Sequence, residues 1–286
     1  MLSTARQLRK FSAEKQSFQV VNWVRRIVTT TTDEDGLFFI SINRPERRNA
    51  VNVETGNDLY SAFMKFNESE DARVGIFHSS GGDFCAGFDL KELSTFGSRG
   101  DDEIKDLLHK RGPMGPSRLH LKKPVIAAIA GHAVAGGLEL ALLCDMRIVE
   151  EDAVLGVFCR RFGVPLIDGG TVRLPKLIGL SRALDLILTG RAVNAAEAHQ
   201  MGLANRVVPK GKSLEEAKKL AKQLLKFPQA CMLADRESAY HATYDANSID
   251  SALKFEYENG MDVIKNEAVP GAGEFVSGKG KHGQFV

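Results

Sequence analysis

The chain has 286 residues, of which 43% are hydrophobic and 26% are charged, a balance typical of a globular protein with a sizeable core. Lys and Arg number 38 against 36 Asp and Glu, so the net charge is +2; this excludes a general nucleic-acid binder, which needs a basic surplus to neutralise phosphates. No run of about 20 apolar residues is present, so no membrane-spanning helix is predicted. The four cysteines lack the CxxC spacing of a zinc ribbon or a disulfide framework.

Residues 1–26 differ in composition from the rest of the chain. They contain six basic residues and one acid, Glu14, and their apolar residues Leu2, Ala5 and Leu8 recur at a spacing of three. An Arg-rich, acid-poor amphipathic segment is typical of a mitochondrial transit peptide. The sequence therefore indicates the mitochondrial matrix, with a solvated tail on a cytoplasmic protein as the alternative.

The first predicted elements form a hairpin followed by a helix. Two β-rich runs, residues 27–32 and 37–43, flank a DEDG turn and are expected to pair. Asn52 is placed to cap a helix that extends to about residue 67. Residues 74–78 then form a short apolar strand.

The central part of the chain predicts parallel strands. Residues 101–120 are helical but polar, and a GPMGP segment interrupts them. Residues 124–131 form a fully apolar strand, the kind that is buried on both faces. A helix over about residues 135–144 and a strand at 145–149 follow. A strand, a helix and a strand at this spacing predict parallel pairing with a crossover helix, and hence an α/β fold.

The last third of the sequence is mostly helical. Helices are predicted at residues 181–189, 195–201, 213–226, 229–246 and 249–266. Ser213 and Glu216 are expected to form a capping box at the third of these helices. We therefore divide the chain into an N-terminal extension (1–26), an α/β core (27–209) and a helical C-terminal region (210–286) that packs on the core or on another subunit.

Two glycine-rich turns, residues 84–91 and 131–139, each follow a strand and open a helix. Unpaired N–H groups at a helix N-terminus favour an anion, and glycine lets a ligand approach the backbone. Two such turns on neighbouring strands can direct two N–H groups at one oxygen, which is an oxyanion hole. Each turn taken alone is equally consistent with tight packing. Neither matches a nucleotide-phosphate motif.

Residues 128–145, AIAGHAVAGGLELALLCD, resemble the signature of the enoyl-CoA hydratase/isomerase, or crotonase, superfamily. Supporting motifs occur in order at residues 42–50 (INRPERRNA), 84–91 (FCAGFDLK), 169–175 (GGTVRLP) and 188–190 (LTG). The resemblance covers about residues 27–285. It implies a crotonase-like spiral of ββα units with a helical C-terminal region that forms a homotrimer or homohexamer. It also implies an acyl-CoA substrate.

The resemblance assigns functional residues by motif position. The backbone N–H groups of Phe88 and Gly136 form the oxyanion hole, where one lost donor costs about 3 kcal/mol. The positions implied to contact CoA are Arg47, Arg48, Ala50, Ala86, Lys91, Phe275, Lys279 and Lys281. Guanidinium groups match phosphate geometry, although a solvated surface is the alternative for each of these basic residues.

Glu139 aligns with the first of the two catalytic glutamates of enoyl-CoA hydratases, where a carboxylate activates water. Its alternative role is to complement the helix dipole. The second glutamate is missing, and Cys159 lies nearest to its position as either a small buried filler or a weak proton donor. Asp168 resembles the proton-shuttling carboxylate of dienoyl-CoA isomerases; the alternative is an N-cap for residues 169–177. His132 is interpreted as structural.

These observations favour an enoyl-CoA hydratase that needs no metal or redox cofactor. One alternative is an enoyl- or dienoyl-CoA isomerase that uses Glu139 and Asp168. A non-catalytic acyl-CoA-binding homologue is another, and a decarboxylase or a thioester hydrolase would use the same oxyanion hole. The residues leave the acyl chain length open.

Overall fold

The computed structural model describes residues 27–109 and 111–280. The predictions for residues 1–26 and for Lys281 lie outside the described residues. Nine strands are present in this part of the chain: β1 Val28–Thr32, β2 Leu37–Ile42, β3 Val74–Ser79, β4 Val125–Ile129, β5 His132–Val134, β6 Met146–Glu150, β7 Val154–Gly156, β8 Val193–Asn194 and β9 Arg206–Val208.

The described helices are α1 Val53–Glu68, α2 Leu90–Leu93, α3 Asp101–His109, α4 Gly136–Leu143, α5 Gly170–Ile178, α6 Leu180–Thr189, α7 Ala195–Gln200, α8 Ser213–Leu224, α9 Gln229–Tyr244, α10 Ile249–Val263 and α11 Val269–Ser277. Short 3-10 turns accompany them, among them Pro116–Arg118. A π-helical turn, Ile264–Ala268, joins α10 to α11.

The main sheet has the strand order β1-β2-β3-β4-β6-β9. The predicted hairpin is confirmed, because β1 and β2 pair antiparallel with Val28 opposite Ile42. The remaining neighbours of this sheet are parallel, as predicted from the strand–helix–strand spacing. A smaller sheet, β5-β7-β8, stands beside it. Its strands have two or three residues, which is too short for an alternation of apolar and polar residues to appear. The sequence therefore did not predict them.

The central strands of the main sheet are largely buried on both faces, and every residue of β4 is buried, as predicted for residues 124–131. One face packs against α1 through Phe63 and Phe66. The other face is covered by α8, whose Ala217 and Leu220 contact a cluster that includes Ile126. The glycine turns therefore leave the sheet at its carboxyl edge, between two packed layers.

Helix α1 begins as predicted, because the Asn52 side chain accepts a hydrogen bond from the Thr55 amide at 3.0 Å. The predicted capping box of Ser213 and Glu216 is wrong. Lys212 is the N-cap of α8 and makes no side-chain capping bond. The Ser213 hydroxyl instead donates to Glu150 Oε1 at 2.7 Å, because that buried carboxylate at the end of β6 needs a donor. Glu216 pairs with Arg206 on β9.

Helices α8 to α11 occupy the predicted C-terminal region, and the boundary at residues 209 and 210 stays a prediction. None of the helices in the described part of the chain is long and apolar enough to cross a membrane.

Candidate active site

The two glycine-rich turns are bonded directly to each other. The Cys85 amide donates to the His132 carbonyl at 2.8 Å, and the Val134 amide donates to the Cys85 carbonyl at 3.1 Å. A Cβ atom on Gly137 would lie 2.1 Å from the Cys85 carbonyl oxygen, so only glycine permits this approach. The turns that the sequence singled out are therefore neighbours in space.

Two amides of these turns, those of Phe88 and Gly136, have no acceptor among the described residues. Val51 bonds to the residues on either side of Phe88, since its amide donates to the Gly87 carbonyl and its carbonyl accepts from the Asp89 amide. The Phe88 amide takes no part in this pairing. Within residues 27–109 and 111–280, neither the Phe88 nor the Gly136 N–H donates to a protein acceptor. Gly136 is the first residue of α4, where helix geometry leaves amides unpaired.

The residue that precedes Gly136 has a strained backbone. Ala135 adopts φ 53° and ψ −127°, a region that costs a side-chain-bearing residue about 1–3 kcal/mol. Its amide is held by the Gly156 carbonyl at 2.9 Å. A Cβ atom on Gly87 would lie 3.0 Å from the Gly136 nitrogen. The strain therefore occurs where the second turn lies against the first.

Phe88 and Gly136 both line a cavity of about 460 Å³. Most of its wall is apolar, and the side chains that form this wall include Leu90, Leu93, Pro113, Met114, Val134, Phe158, Phe162, Val164, Pro165 and Ile167. The ionisable groups among the lining residues are Glu139, Asp168 and Cys159, with no Lys, Arg or His. The two unpaired amides and two carboxyl groups therefore share one apolar space.

Glu139 lies in the first turn of α4 and is 3% exposed. Its Oε1 accepts hydrogen bonds from the amides of Asp168, at 3.0 Å, and Gly170, at 2.8 Å. Burial raises the pKa of Glu139 to about 7, with a further increase from the charge of Asp168 and an opposing effect from the two amides. Such a carboxyl group can both accept and return a proton near neutral pH.

Asp168 is 2% exposed. Its Oδ1 accepts a hydrogen bond from the Met114 amide at 3.1 Å and another from the Ser117 hydroxyl. Burial raises the pKa of Asp168, and these hydrogen bonds oppose the increase. The alternative in which Asp168 caps the following helix is wrong, since Gly169 is the N-cap of α5 and no side chain caps it.

Cys159 occupies the cavity wall near Glu139 and is 7% exposed. Burial raises the pKa of its thiol, and the charge of Glu139 adds to the increase. The thiol therefore stays protonated at neutral pH. Among the described residues that line the cavity, Glu139 and Asp168 are the only carboxylates, in agreement with the missing second glutamate.

The positions implied to contact CoA are spread over the surface. Ala86 lines the cavity, and the half-buried Ala50 offers its carbonyl to the Arg44 guanidinium. The side chains of Arg47, Arg48 and Lys91 are exposed.

Phe275 on α11 is exposed, and Lys279 pairs with Glu274 at 2.7 Å. Neither Phe275 nor Lys279 lines the cavity. Their contact with CoA, like that of the other basic positions, stays a prediction.

Two residues that no sequence pattern identified, Met114 and Ser117, together hold Asp168. Met114 lies in the GPMGP segment and Ser117 follows it directly. This segment was the only local signal. Among residues 27–109 and 111–280, no group of three His, Cys, Asp or Glu side chains is arranged to hold a metal ion.

Residues 32–277 match the family described as enoyl-CoA hydratase/isomerase. The chain belongs to this family. It is 34% identical over 233 residues to the probable mitochondrial enoyl-CoA hydratase of Dictyostelium discoideum, which covers 81% of this chain and 82% of that protein. It is 36% identical over 234 residues to the probable enoyl-CoA hydratase 2, mitochondrial, of Arabidopsis thaliana, and the match covers 80% of this chain and 72% of that protein.

Solved structures agree with this assignment. The crystal structure of an enoyl-CoA hydratase from Mycobacterium tuberculosis H37Rv has a TM-score of 0.78 at 30% identity, and the match covers 88% of this chain and 96% of that one. The comparisons confirm the predicted superfamily, its α/β fold and the interpretation of the chain as a hydratase/isomerase family enzyme.

The raised pKa of Glu139 predicts how stability depends on pH. A carboxyl group that ionises at about 4.5 in the unfolded chain and at about 7 in the folded one lowers the free energy of unfolding as pH rises between these values. Glu139→Gln removes this loss and keeps an oxygen for the two amides. We expect the variant to gain up to about 3 kcal/mol relative to wild type between about pH 5 and about pH 8.

Urea unfolding at both pH values measures this difference. Glu34→Gln, in the exposed β1–β2 turn, serves as the control and should show no such gain. An equal effect of Glu139→Gln at the two pH values would contradict the assignment.

Proposed function

We propose that this enzyme adds water to a 2-enoyl-CoA thioester. The observation that carries the proposal is the placement of two unpaired backbone N–H groups, at Phe88 and Gly136, on the same apolar cavity as the buried Glu139. Donors of this kind stabilise the negative charge that develops on a thioester oxygen. A carboxyl group with a pKa near 7 is suited to move the proton of a water molecule.

In the proposed reaction the thioester oxygen accepts hydrogen bonds from both amides. Ionised Glu139 removes a proton from water while the water oxygen bonds to the β-carbon. The electron pair of the α,β double bond moves towards the thioester and forms an enolate. The enolate then takes a proton at the α-carbon, which gives a 3-hydroxyacyl-CoA. Acid–base chemistry and oxyanion binding account for every step, so the proposal requires no metal or redox cofactor.

A single carboxyl group serves both proton transfers in this proposal. Cys159, in place of a second glutamate, has a thiol whose pKa is raised by burial, which makes it a poor donor at neutral pH. Glu139, with a pKa of about 7, can return the proton it has just accepted. Asp168 remains beside it, joined through its own amide to Glu139 Oε1.

The second candidate function is double-bond isomerisation. It is favoured by one specific observation, which is that Glu139 and Asp168 are both buried on the cavity and both have a raised pKa. In that reaction one carboxylate removes a proton from a carbon of the acyl chain and the other carboxyl group returns one. A decarboxylase is disfavoured, because the described residues of the cavity wall include no cation to pair with the carboxylate of its substrate.

Substitution of the two carboxylates distinguishes hydration from isomerisation. We expect Glu139→Gln to lower kcat for hydration of crotonyl-CoA by about 100-fold or more, as loss of a general base does. In the wild-type enzyme, kcat/KM should rise with pH through about 7, because the base must be ionised. Asp168→Asn should have a smaller effect on hydration. Equal losses from the two substitutions in the isomerisation of a 3-enoyl-CoA would favour the isomerase.

The assay measures loss of the enoyl chromophore and is repeated with 3-enoyl-, dienoyl- and malonyl-CoA. Glu34→Gln is again the control. The residue assignment would be wrong if neither substitution lowered the turnover of any accepted thioester. Binding of thioesters without turnover by wild type would favour the non-catalytic homologue.

We further propose that the chain forms a homotrimer, or two trimers paired as a hexamer. One exposed apolar face lies on α10 and the π-helical turn, at Ile249, Leu253, Tyr257, Met261 and Ile264. A second lies on α5 and α6, at Val172, Leu177, Leu180, Leu184 and Leu188. Two different apolar faces support a head-to-tail contact that closes into a ring.

Light scattering coupled to gel filtration tests this arrangement. We expect the mass of a trimer, or of a hexamer, for wild type. Leu253→Glu combined with Tyr257→Glu should give monomers, since both charges fall on the α10 face. Lys254→Glu changes the neighbouring exposed position and should leave the assembly intact. A monomeric wild type would refute the proposal.

We also propose the mitochondrial matrix as the location. The basic, acid-poor composition of residues 1–26 supports this location, as do the mitochondrial names of the Dictyostelium and Arabidopsis relatives. Bacterial relatives are also similar, and they favour the cytoplasmic alternative. Fused to a fluorescent protein, residues 1–26 should direct import into isolated mitochondria. The same segment with its six basic residues replaced by Gln should not direct import. If neither fusion were imported, the cytoplasmic alternative would be favoured.

A further inference from the structure

A side-chain contact joins the two glycine turns in addition to their backbone bonds. Asp83 lies just before the first turn, and His132 lies at the start of the second. Asp83 Oδ1 accepts the backbone N–H of His132 at 3.1 Å and lies 2.6 Å from His132 Nδ1. One carboxylate oxygen therefore holds both the main chain and the ring of the same histidine.

The residues around this contact are arranged to allow it. Gly131 has φ 54°, and a Cβ atom there would lie 2.6 Å from Asp83 Oδ1. Any side chain at this position would push the carboxylate away from the second turn. The local backbone thus accommodates the contact between Asp83 and His132.

Asp83 is itself fixed from the opposite side. Its carbonyl oxygen accepts hydrogen bonds from the Ser79 hydroxyl at 2.7 Å and from Asn49 Nδ2 at 2.6 Å. Asn49 is fully buried. The second carboxylate oxygen lies 4.0 Å from Arg48 Nε. An aspartate whose backbone is held in this way can set the position of the histidine that its carboxylate binds.

The contact lies a short distance along the chain from the unpaired amides. Phe88 follows Asp83 by five residues, and Gly136 follows His132 by four. The backbone bonds of Cys85 connect the two segments in between. Because those segments are short and paired, a shift at the Asp83–His132 contact changes the separation of the two amides.

We infer that Asp83 and His132 are a positioning pair for the oxyanion hole. They hold the two turns in register so that the Phe88 and Gly136 amides converge on one thioester oxygen. Neither side chain lines the acyl cavity, so the pair acts through the backbone and does not contact the reacting atoms. The inference rests on the proposed function in one respect only, the binding of a thioester oxygen by these two amides.

Kinetics of alanine variants give the first test. We expect His132→Ala and Asp83→Ala each to lower kcat for crotonyl-CoA by about tenfold, since small displacements of catalytic groups are costly, with little change in KM. The double variant should be no worse than either single one, because both remove the same contact. His132→Asn should restore most of kcat, since its side-chain amide can donate to Asp83 from about the position of Nδ1.

His120→Ala is the matched control. It breaks another histidine–carboxylate pair, between His120 Nε2 and Glu237 Oε2 at 3.1 Å, which is exposed. This variant should leave kcat unchanged. A fall in kcat of the same size in His120→Ala would show that the effect is not specific to the turns.

Infrared difference spectroscopy of bound butyryl-CoA, labelled with ¹³C at the carbonyl, gives the second test. This saturated thioester cannot be hydrated, so the readout does not depend on turnover. In wild type, two hydrogen bonds should lower the carbonyl frequency. In both alanine variants the band should return towards its position in water while butyryl-CoA still binds, and His132→Asn should retain the wild-type band.

The outcomes separate this inference from the proposed function. An unchanged band and an unchanged kcat in both alanine variants would overturn the positioning pair alone. If the alanine variants had a lower urea midpoint than wild type but the same carbonyl band, the positioning pair would also be overturned. The contact would then only stabilise the fold. A third outcome is that the wild-type band is shifted, and returns in both alanine variants, while no enoyl-CoA is hydrated. That result would overturn the proposed function and support the positioning pair. No shift in wild type would overturn both.

Discussion

The close approach of two backbone segments is the constraint on which the rest of this structure depends. Two main-chain amides from different segments can bind the same atom only where no side chain holds the segments apart. Gly137 meets this requirement against the Cys85 carbonyl, and Gly87 meets it against the Gly136 amide. Because Glu139 lies three residues after Gly136 on the same helix, the close approach of the two turns also sets the position of the Glu139 carboxylate.

The two buried carboxyl groups of the candidate site, Glu139 and Asp168, also hold the scaffold together. Glu139 Oε1 accepts from the amides of Asp168 and Gly170 at the start of α5, and Asp168 Oδ1 binds the segment that includes Met114. Burial raises the pKa of both groups, and the same hydrogen bonds limit the increase. The geometry of the cavity wall and the protonation of its acids are therefore coupled, and a change in one alters the other.

Local patterns predicted the elements whose cause is local. The hairpin, the Asn52 cap and the buried strand at residues 124–131 follow from turn residues, a capping side chain and a run of apolar residues. The two glycine turns were identified because each combines a strand exit with glycines at a helix start. The family resemblance then connected them, and the comparisons with known proteins confirmed that family.

The wrong predictions concern side chains that bond to a residue distant in the sequence and not to the neighbouring helix. Ser213 has the sequence context of a capping box, but Glu150 lies 63 residues away and takes its hydroxyl. Asp168 has the context of an N-cap, but Met114 and Ser117 take its carboxylate. Strands β5, β7 and β8 have two or three residues each, too few for a period to appear. These features depend on tertiary contacts that no short window of sequence contains.

The bond between Ser213 and Glu150 ties the start of α8 to the edge of the sheet from which the glycine turns emerge. A chain cut before α8 would lose this donor and would also expose to water the aliphatic layer that includes Ile76, Ile126 and Ile148. Exposed parallel strands of this composition are prone to aggregate. Helix α8 is therefore required to cover this face of the sheet, and a shortened version for crystallisation or engineering should end beyond Leu224.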